Sequence, residues 1–330
     1  MSPIWASIVG QTGAIALLQR ALVADRLAHA YAFVGPVGVG RRLTALAFAQ
    51  AVLCGTGGCG GCPSCRRVAA GLHPDCQVLQ PTPPKDNPRG AAVIRIEDIR
   101  ELAHRAALTP HEGPRKIFIL DDADRMTLPT AQAVLKTLEE PPPRTLLVLI
   151  LANPRALPAT VLSRCQRVRF RPLGEPEMLA SLEARGVAPA ERGRLARLSQ
   201  GQLGVALAAD LATVETRRAT ALELLATPRP ALAVRLDQAG LDRDRAGVAA
   251  CLEVYWFWFR DALCVQAGGD PGLLVNADRA EELARIAARM PHGELVAALA
   301  AVKTAWLALE GNVTPRLALE AVLVRLRPAA

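Results

Sequence analysis

The feature that most constrains the fold is a glycine-rich run at residues 35–42, which reads Gly-Pro-Val-Gly-Val-Gly-Arg-Arg. It follows a short apolar segment at 31–34 and precedes an apolar, helix-forming segment at 43–53. At such a junction Gly35, Gly38 and Gly40 can bring backbone N–H groups around a phosphate at the start of a helix. The arrangement predicts a phosphate-binding loop of the NTPase type.

The two positions that carry the chemistry of such a loop are changed. The pattern requires a lysine after the last glycine and then a serine or threonine, whose hydroxyl binds Mg²⁺. Here these positions hold Arg41 and Arg42. A guanidinium is a planar fork instead of a compact ammonium, and it cannot bind a metal ion. The sequence therefore predicts an NTPase fold without ATP hydrolysis of its own. It leaves ATP binding doubtful, with weak binding through the glycines still open.

An acidic pair follows another apolar segment, because residues 116–120 lead into Asp121 and Asp122. In NTPases, acidic residues at such a strand end hold Mg²⁺ and orient water, although acidic residues are also common in turns. Asp122 stands where ATP-hydrolysing proteins carry a longer glutamate. The predicted degenerate nucleotide site combines this pair with residues of the loop: Gly35, Gly38, Gly40 and Arg41.

Apolar segments and helical patterns alternate in the first half of the chain. Strands are predicted at 31–34, 77–80, 116–120, 145–151 and 166–170, and helices at 43–53, 97–107 and 129–139. Continuous apolar strands separated by helices are typical of an α/β fold with a parallel sheet covered on both faces. After residue 172 only helices are predicted, at 176–185, 189–199, 202–209, 214–226, 245–267, 278–289, 294–309 and 315–326, with a break at Pro228-Arg229-Pro230.

Four cysteines form a separate motif. Cys54, Cys59, Cys62 and Cys65 have the spacing C-x4-C-x2-C-x2-C in a glycine-rich segment. Thiolates at this spacing can converge on one tetrahedral Zn²⁺, and four protein ligands leave no open position. The motif therefore predicts a structural zinc site. Four unligated thiols, a disulfide pair and an iron–sulfur cluster are the alternatives.

Composition decides less than these motifs. The formal net charge of +8 would suit a nucleic-acid-binding protein. However, only four of the 39 basic residues are lysine, which fits a GC-rich coding bias equally well. No uninterrupted apolar run approaches the roughly 18 residues of a membrane span, and no basic segment followed by an apolar one opens the sequence. We therefore expect a cytoplasmic protein that does not contact a membrane.

Two further motifs, together with those above, indicate one particular protein family. Residues 135–142 read Leu-Lys-Thr-Leu-Glu-Glu-Pro-Pro, and Ser163-Arg164-Cys165 precedes the last predicted strand. With the glycine loop and the four cysteines, this sequence resembles the delta-prime subunits of the bacterial DNA polymerase III clamp loader, which belong to the AAA+ superfamily. Further matching positions are Val9-Gly10-Gln11, His29-Ala30-Tyr31 and residues 312–320.

The resemblance implies three domains and a set of partners. An α/β AAA+ domain containing the cysteine module at 54–65 would span 1–172, a small helical lid 173–212, and an all-α collar 213–330. The implied partners are the delta and gamma/tau subunits in a hetero-pentamer. The beta sliding clamp and primer-template DNA would be contacted through that complex. The polymerase activity would belong to the holoenzyme.

The resemblance also implies a role for Arg164. In this family the arginine of the Ser-Arg-Cys triplet acts in trans, on ATP bound by a neighbouring gamma or tau subunit. Arg164 would stabilise negative charge that develops on the γ-phosphate; a surface ion pair is the simpler alternative. The chain itself would be a non-hydrolysing stator during loading of the clamp in DNA replication. Gly204 occupies the lid position where ATP-hydrolysing relatives carry a phosphate-sensing arginine.

Two other functions stay open at this point. In one, Arg41 substitutes for lysine and the chain is itself a competent AAA+ ATPase subunit, like gamma or tau. In the other, the cysteine module and the positive charge form a DNA-binding module, although no compact basic cluster surrounds the cysteines. A run of five aromatic residues at 255–259 is expected to pack mainly into a helical core.

Overall fold

The structure is a computed structural model that describes residues 3–83, 92–241, 244–311 and 313–326. Residue 312, part of one family motif, lies outside these ranges. The described residues form two compact units: the first falls within 1–192 and 199–207, and the second within 193–198 and 208–330. The division into three domains at 172 and 212 stays a prediction.

A five-stranded parallel sheet is the base of the first unit. Its strands are β1 Ala30–Val34, β2 Cys76–Leu79, β3 Lys116–Leu120, β4 Thr145–Leu151 and β5 Gln166–Arg169. They lie in the order β2-β3-β4-β1-β5, and all four pairings are parallel. β4 is buried along its whole length, as its uninterrupted apolar sequence requires for a strand covered on both faces.

Helices cover both faces of this sheet because side chains alternate along each strand. The helices are α1 Thr12–Val23, α2 Arg41–Leu53, α3 Pro63–Ala69, α4 Ile96–Ala107, α5 Leu128–Glu139 and α6 Ala159–Leu162. Tyr31 and Phe33 of β1 pack in one core with residues of α1, α2 and α3. Ala30 and Ala32 face the opposite core, which is formed with α4, α5 and α6. The predicted α/β class is confirmed.

The strand order positions a site at one edge of the sheet. In a parallel sheet, the loops after the strands emerge at the same edge, and ligands bind outside these carboxyl ends. The loop after β1 carries the glycines, and the turn after β3 carries Asp121 and Asp122. Only β4 lies between β1 and β3, so the two segments are brought close together.

Three helices follow β5, and the helices after them belong to the second unit together with residues 193–198 of α8. The first three are α7 Glu175–Glu183, α8 Pro189–Ser199 and α9 Leu203–Ala208. The others are α10 Leu211–Ala226, α11 Arg229–Gln238, α12 Arg245–Gln266, α13 Ala280–Arg289, α14 His292–Glu310 and α15 Pro315–Arg325. Short 3-10 helices lie at Pro3–Trp5, Ala123–Arg125, Pro154–Ala156, Pro271–Leu273 and Ala277–Arg279.

The aromatic run lies on α12, in the core of the second unit. Tyr255, Trp258 and Phe259 are buried, and their spacing places them on one face of the helix. The hydroxyl of Tyr255 donates a hydrogen bond to the carbonyl oxygen of Ala221 in α10 at 2.8 Å. The predicted core packing of this run is confirmed.

One described helix meets the length and composition of a membrane span, over His292–Leu309 in α14. Core helices of soluble proteins pass the same test. Leu295, Val302 and Leu309 of this helix are buried in the core of the second unit. The cytoplasmic location and the absence of membrane contact stay predictions.

Candidate functional site beside the glycine loop

A cavity of about 390 Å³ lies beside the glycine loop. Five of the six residues predicted for the degenerate nucleotide site line it, namely Gly38, Gly40, Arg41, Asp121 and Asp122. Arg42 lines it as well. The structure thus brings the end of the loop and the acidic pair together around one space.

Gly35, the sixth predicted residue, packs against the ends of β4 and β5 instead of lining the cavity in the described chain. Its N–H donates to the carbonyl oxygen of Leu151 at 3.2 Å. A Cβ atom at this position would lie 2.6 Å from the carbonyl oxygen of Phe170. Gly35 therefore permits the close approach of the chain segments that follow β1 and β5, and in the described chain it is not among the residues lining the cavity.

The start of α2 provides backbone N–H groups at the cavity. Gly40 precedes the helix in a left-handed conformation, with φ of 95°, and has no side chain to cap it. The first N–H groups of a helix have no partner inside the helix, and the helix dipole favours negative charge there. The Thr44 hydroxyl donates to the Gly40 carbonyl oxygen at 2.8 Å and holds this turn in place.

Arg41 is a buried cation next to three carboxylates. The residue is only 5% exposed, and its Nη1 has no hydrogen-bond partner among the described residues. Burial lowers the pKa of Arg41, while the charges of Asp124, Asp122 and Asp121 act in the opposite direction. The surrounding acids therefore favour the charged form of the guanidinium. Its Nη1 still has no hydrogen-bond partner among the described residues.

Arg42 makes a contact that the sequence did not predict. Its Nη1 lies 3.2 Å from Oδ2 of Asp121, and the same carboxylate oxygen accepts a hydrogen bond from Nε2 of Gln80 at 3.2 Å. Asp121 is the residue expected to face a metal ion. In this chain a guanidinium occupies that carboxylate.

Asp122 has a constrained backbone and an altered acidity. Its φ of 49° lies in the left-handed region, at the start of the turn Ala123–Arg125. Burial raises the pKa of Asp122, and the neighbouring charge of Asp121 raises it further, although Arg125 opposes the shift. The charged form of Asp122 is therefore less favoured than that of an exposed aspartate.

The first turn of α9 packs directly on the glycine loop. The N–H of Gly204 donates to the carbonyl oxygen of Gly38 at 2.8 Å. A Cβ atom on Gly204 would lie 3.0 Å from Cα and 3.1 Å from the carbonyl oxygen of Gly38. This close approach gives Gly204 a structural role in packing α9 on the loop.

Gln11, which the sequence identifies only as part of a family motif, holds the glycine loop in place. It is 3% exposed, and its Nε2 donates to the carbonyl oxygens of Val39 at 3.2 Å and Arg171 at 2.7 Å. Its Oε1 accepts the N–H of Arg171 at 3.2 Å. The side chain thus fastens the glycine loop to the segment after β5. Its place in the Val9-Gly10-Gln11 motif was the only sequence signal.

The four predicted cysteine ligands converge. Their Sγ atoms all lie within 4.8 Å of one another. Cys54 Sγ lies 3.8 Å from Cys59 Sγ and 3.7 Å from Cys62 Sγ. A tetrahedral site with Zn–S bonds of about 2.3 Å places its sulfur atoms about 3.8 Å apart. The cluster at the end of α2 and the start of α3 therefore fits a metal ion such as zinc.

Hydrogen bonds in the cluster favour anionic sulfur at some of these positions. The N–H of Cys62 donates to Cys59 Sγ at 3.3 Å, and the N–H of Cys65 donates to Cys62 Sγ at 3.4 Å. Burial acts to raise the pKa of Cys54, but hydrogen bonds from Thr56 and from backbone N–H groups lower it to about 5. Burial raises the pKa of Cys65 to about 12. Four thiolates at this spacing repel one another, so a bound cation would be needed to ionise all of them.

Arg164 lies at the surface after α6. Its Nη1 donates to the carbonyl oxygen of Thr160 at 2.9 Å, and its Nη2 lies 2.9 Å from Oε1 of Glu139. Glu139 ends α5 within the Leu-Lys-Thr-Leu-Glu-Glu-Pro-Pro motif, so the ion pair connects the two family motifs. Within the described part of the chain, Arg164 does not line the cavity beside the loop.

Two family models match the chain. One, described as DNA polymerase III, delta subunit, matches residues 10–174, which contain the glycine loop, the cysteine cluster, the acidic pair and Arg164. The chain belongs to this family. The other, which describes the C-terminal part of the DNA polymerase III delta subunit, matches residues 238–327.

Individual relatives cover part of this delta-family chain. The DNA polymerase III subunit delta' of Bacillus subtilis is 38% identical over 160 residues, which are 48% of this chain and 46% of the relative. The subunit tau of Escherichia coli is 31% identical over 183 residues, 54% of this chain and 27% of tau. The chain thus spans about half or less of the length of these relatives. The predicted resemblance to delta-prime subunits is confirmed.

A solved structure of a gamma subunit-related protein from Thermotoga maritima also overlaps the delta-family chain. Its TM-score is 0.40 at 17% sequence identity. The overlap covers 94% of this chain and 98% of that one.

The contact between Gly204 and Gly38 can be tested in this delta-family chain by replacing Gly204 with alanine. We expect Gly204→Ala to destabilise the protein by about 1–3 kcal/mol, because the added methyl group meets backbone atoms that cannot rotate away. Gly13→Ala is the matched control, since a Cβ at Gly13 meets nothing within 4 Å. The measurement is the midpoint of urea unfolding. Equal midpoints for the two variants would contradict the close approach.

Proposed function

We propose that this chain is a clamp-loader subunit of DNA polymerase III that does not hydrolyse ATP itself. It supplies Arg164 to the ATP site of a neighbouring gamma or tau subunit and acts as a stator while the beta sliding clamp is loaded in DNA replication. The observation that carries the proposal is the exposed guanidinium of Arg164, fixed by Thr160 and Glu139 and outside the chain's own cavity.

The groups around the loop support the proposed absence of intrinsic hydrolysis. Catalysis of phosphoryl transfer in such sites depends on Mg²⁺ and on a positioned water. Arg42 provides no oxygen ligand and pairs with Asp121, and burial raises the pKa of Asp122. The three groups that would hold the metal ion and orient the water are therefore changed or occupied.

The geometry of Arg164 suits a group that acts on another subunit. A guanidinium has five N–H donors, and the contacts with Thr160 and Glu139 leave others for an acceptor outside the chain. The ion pair is 38% exposed at Arg164 and 43% exposed at Glu139. A surface pair of this kind contributes only about 0.2–1 kcal/mol to stability. An arginine finger can be worth about 10³–10⁵ in the rate of hydrolysis. A catalytic role in trans would therefore contribute far more than the stability that the surface ion pair supplies.

The partners follow from this proposal. The chain would join delta and gamma/tau subunits in a hetero-pentamer, with the helices of the second unit forming the collar of the ring. The beta clamp and primer-template DNA would be contacted through the complex, and the polymerase activity would belong to the holoenzyme. A cytoplasmic location fits these partners.

The retained cavity favours a second candidate function. The glycines, the buried Arg41 and a space of about 390 Å³ are still present. If Arg41 acted as the missing lysine, the chain would be a competent ATPase subunit like gamma or tau. The pair formed by Arg42 and Asp121 argues against it, because Mg²⁺ would have to displace a guanidinium.

We also propose that the cysteine cluster holds one structural Zn²⁺. Cys54, Cys59, Cys62 and Cys65 would be its ligands, and the ion would supply the positive charge that four close thiolates require. It would fix the turn between α2 and α3.

We expect Arg164→Ala to lower ATP hydrolysis at the one gamma or tau site that it serves by at least about 10³-fold. The rate is measured in a reconstituted loader, stimulated by DNA and clamp, whose other ATP sites are inactivated. Glu139→Ala is the matched control, because it breaks the same ion pair and keeps the guanidinium. We expect this variant to retain most of the rate. Size-exclusion chromatography shows whether each variant still assembles. Similar losses in both variants would assign Arg164 to the ion pair alone and contradict catalysis in trans.

We expect the purified protein to contain one zinc ion per chain, measured by elemental analysis. Cys62→Ser should lose the ion and lower the melting temperature, because a structural metal contributes directly to folding. The control is Cys264→Ser, a partly buried free cysteine outside the cluster, which should keep the zinc. A chain with no metal, or with iron and visible absorption, would contradict the zinc assignment.

A further inference from the structure

We propose that the outer edge of β5 is a docking site for an extended acidic segment of a partner protein, which would add a further strand to the sheet. The site lies outside the cavity beside the glycine loop, and it does not depend on the proposed role of Arg164. It consists of backbone groups along the edge and of two charged side chains, those of Arg167 and Arg169.

β5 is an edge strand of the described sheet, since it pairs with β1 alone. The N–H of Phe170 donates to the carbonyl oxygen of Val34 at 2.8 Å, which fixes the side of the chain that faces β1. Backbone groups of successive residues point to opposite sides of a strand, so those of Arg167 and Arg169 point away from β1. Among the described residues, nothing forms a hydrogen bond with these outward groups.

Gln11 shows how an amide binds to this edge. Two residues beyond Arg169, the N–H of Arg171 donates to Oε1 of Gln11 at 3.2 Å. The carbonyl oxygen of Arg171 accepts a hydrogen bond from Nε2 of Gln11 at 2.7 Å. A residue of a neighbouring antiparallel strand would make the same pair of hydrogen bonds. The side chain of Gln11 thus closes one end of the edge and leaves the groups of Arg167 and Arg169 for a partner.

The side chains of Arg167 and Arg169 give the edge its charge. Val168 and Phe170 pack in the core that β1 forms with α1, α2 and α3. Because side chains alternate along a strand, the two arginines lie on the opposite face, where both are exposed. Residues two apart on a strand are separated by about 6.6 Å, so the two cations lie side by side along the edge.

The arginines on either side already have acidic partners. Glu139 pairs with Arg164 at 2.9 Å, and Glu177 pairs with Arg171 at 2.8 Å. Within the described chain, the two arginines between them form no ion pair. The edge therefore has an excess of two positive charges. Directly opposite residues of paired strands have side chains on the same face, where opposite charges attract. An acidic residue at every second position of a partner strand would match this spacing.

The backbone and the charges together favour a peptide as the occupant. Charged side chains on an edge hinder pairing with apolar strands, and a second copy of β5 would place arginine beside arginine. The sugar-phosphate backbone of DNA could contact the guanidinium groups, but it has no donor for the outward carbonyl oxygens. An extended acidic segment satisfies both the backbone and the side chains, as in other cases where a peptide adds a strand to the edge of a sheet.

The first test is fluorescence anisotropy of the full chain with a labelled peptide that alternates threonine and glutamate, in about 0.15 M salt. We expect the native chain to bind it. The double variant Arg167→Glu, Arg169→Glu should bind at least about tenfold more weakly, because like charges would then lie opposite each other. The same variant should bind the corresponding peptide of threonine and lysine more tightly than the native chain does. The matched control is Arg26→Glu, Arg100→Glu, which changes two exposed arginines outside the strand and should leave binding close to native.

A second test separates strand pairing from general charge attraction. One acidic peptide carries N-methyl groups on its glutamates, and the other carries them on its threonines. A paired peptide directs only one of these two sets of N–H groups at β5. We therefore expect one N-methylated peptide to bind at least about tenfold more weakly than the other, since several hydrogen bonds are lost.

The proposal is overturned if the acidic peptide does not bind at millimolar concentration, or if both N-methylated peptides bind equally well. Equal losses in the two double variants would also overturn it, because binding would then reflect the net charge of the surface. If a DNA oligonucleotide binds through Arg167 and Arg169 and the peptide does not, the edge is a nucleic-acid contact instead. Urea unfolding shows that each variant is folded. These measurements use the chain without a loader, so no outcome bears on the assay of Arg164.

Discussion

The loop between β1 and α2 is held by polar contacts from three separate parts of the first unit. The N–H of Gly35 bonds to the end of β4, Gly38 accepts the N–H of Gly204 in α9, and Val39 accepts a hydrogen bond from Gln11. Neither contact of Gly35 or Gly38 involves a phosphate, and side chains at Gly35 and Gly204 would collide with backbone atoms. The glycines are therefore required for packing even where Arg41 and Arg42 stand in place of the lysine and the hydroxyl residue. This explains how a phosphate-loop geometry persists without its lysine and hydroxyl.

The charged residues around the loop also make contacts within the chain instead of the contacts that an active NTPase would use. Arg42 pairs with Asp121, and Arg41 is buried beside the acidic residues without a complete set of partners. The guanidinium of Arg42 is thus paired with Asp121, the carboxylate that would hold a metal ion. The guanidinium proposed to act in catalysis, that of Arg164, is instead exposed at the surface and connects two family motifs through Glu139. A protein of this kind would keep the fold of an NTPase while contributing its reactive group to a neighbour.

Much of the fold is predictable because its signals are local. β3 and β4 begin and end where their apolar runs do, and the predicted helices of the second half have ends within three residues of those observed. α11 is not predicted because Pro228-Arg229-Pro230 indicates a break, whereas prolines are tolerated in the first turn of a helix. α3 also starts at a proline, Pro63, and the cysteine motif around it gives no helical signal.

The candidate site is predictable in its members but not in its contacts. The glycines and the acidic pair can be located from strand ends and spacing. The pairing of Arg42 with Asp121 joins residues about eighty positions apart, and Gln11 contacts Arg171, 160 positions further along the chain. Such contacts depend on the order of strands in the sheet, which the sequence pattern does not specify. In the sequence Arg42 is therefore only a lost ligand, whereas the structure shows that it pairs with Asp121.

The most direct test of this account is the rate of ATP hydrolysis by the purified chain alone, in the presence of Mg²⁺. The account predicts no turnover above that of buffer, because Arg42 replaces the metal-binding hydroxyl and pairs with Asp121. Turnover at the rate of active AAA+ subunits, abolished by Asp121→Asn, would show that the chain's own site is catalytic. That result would contradict the non-hydrolysing role and support the ATPase alternative.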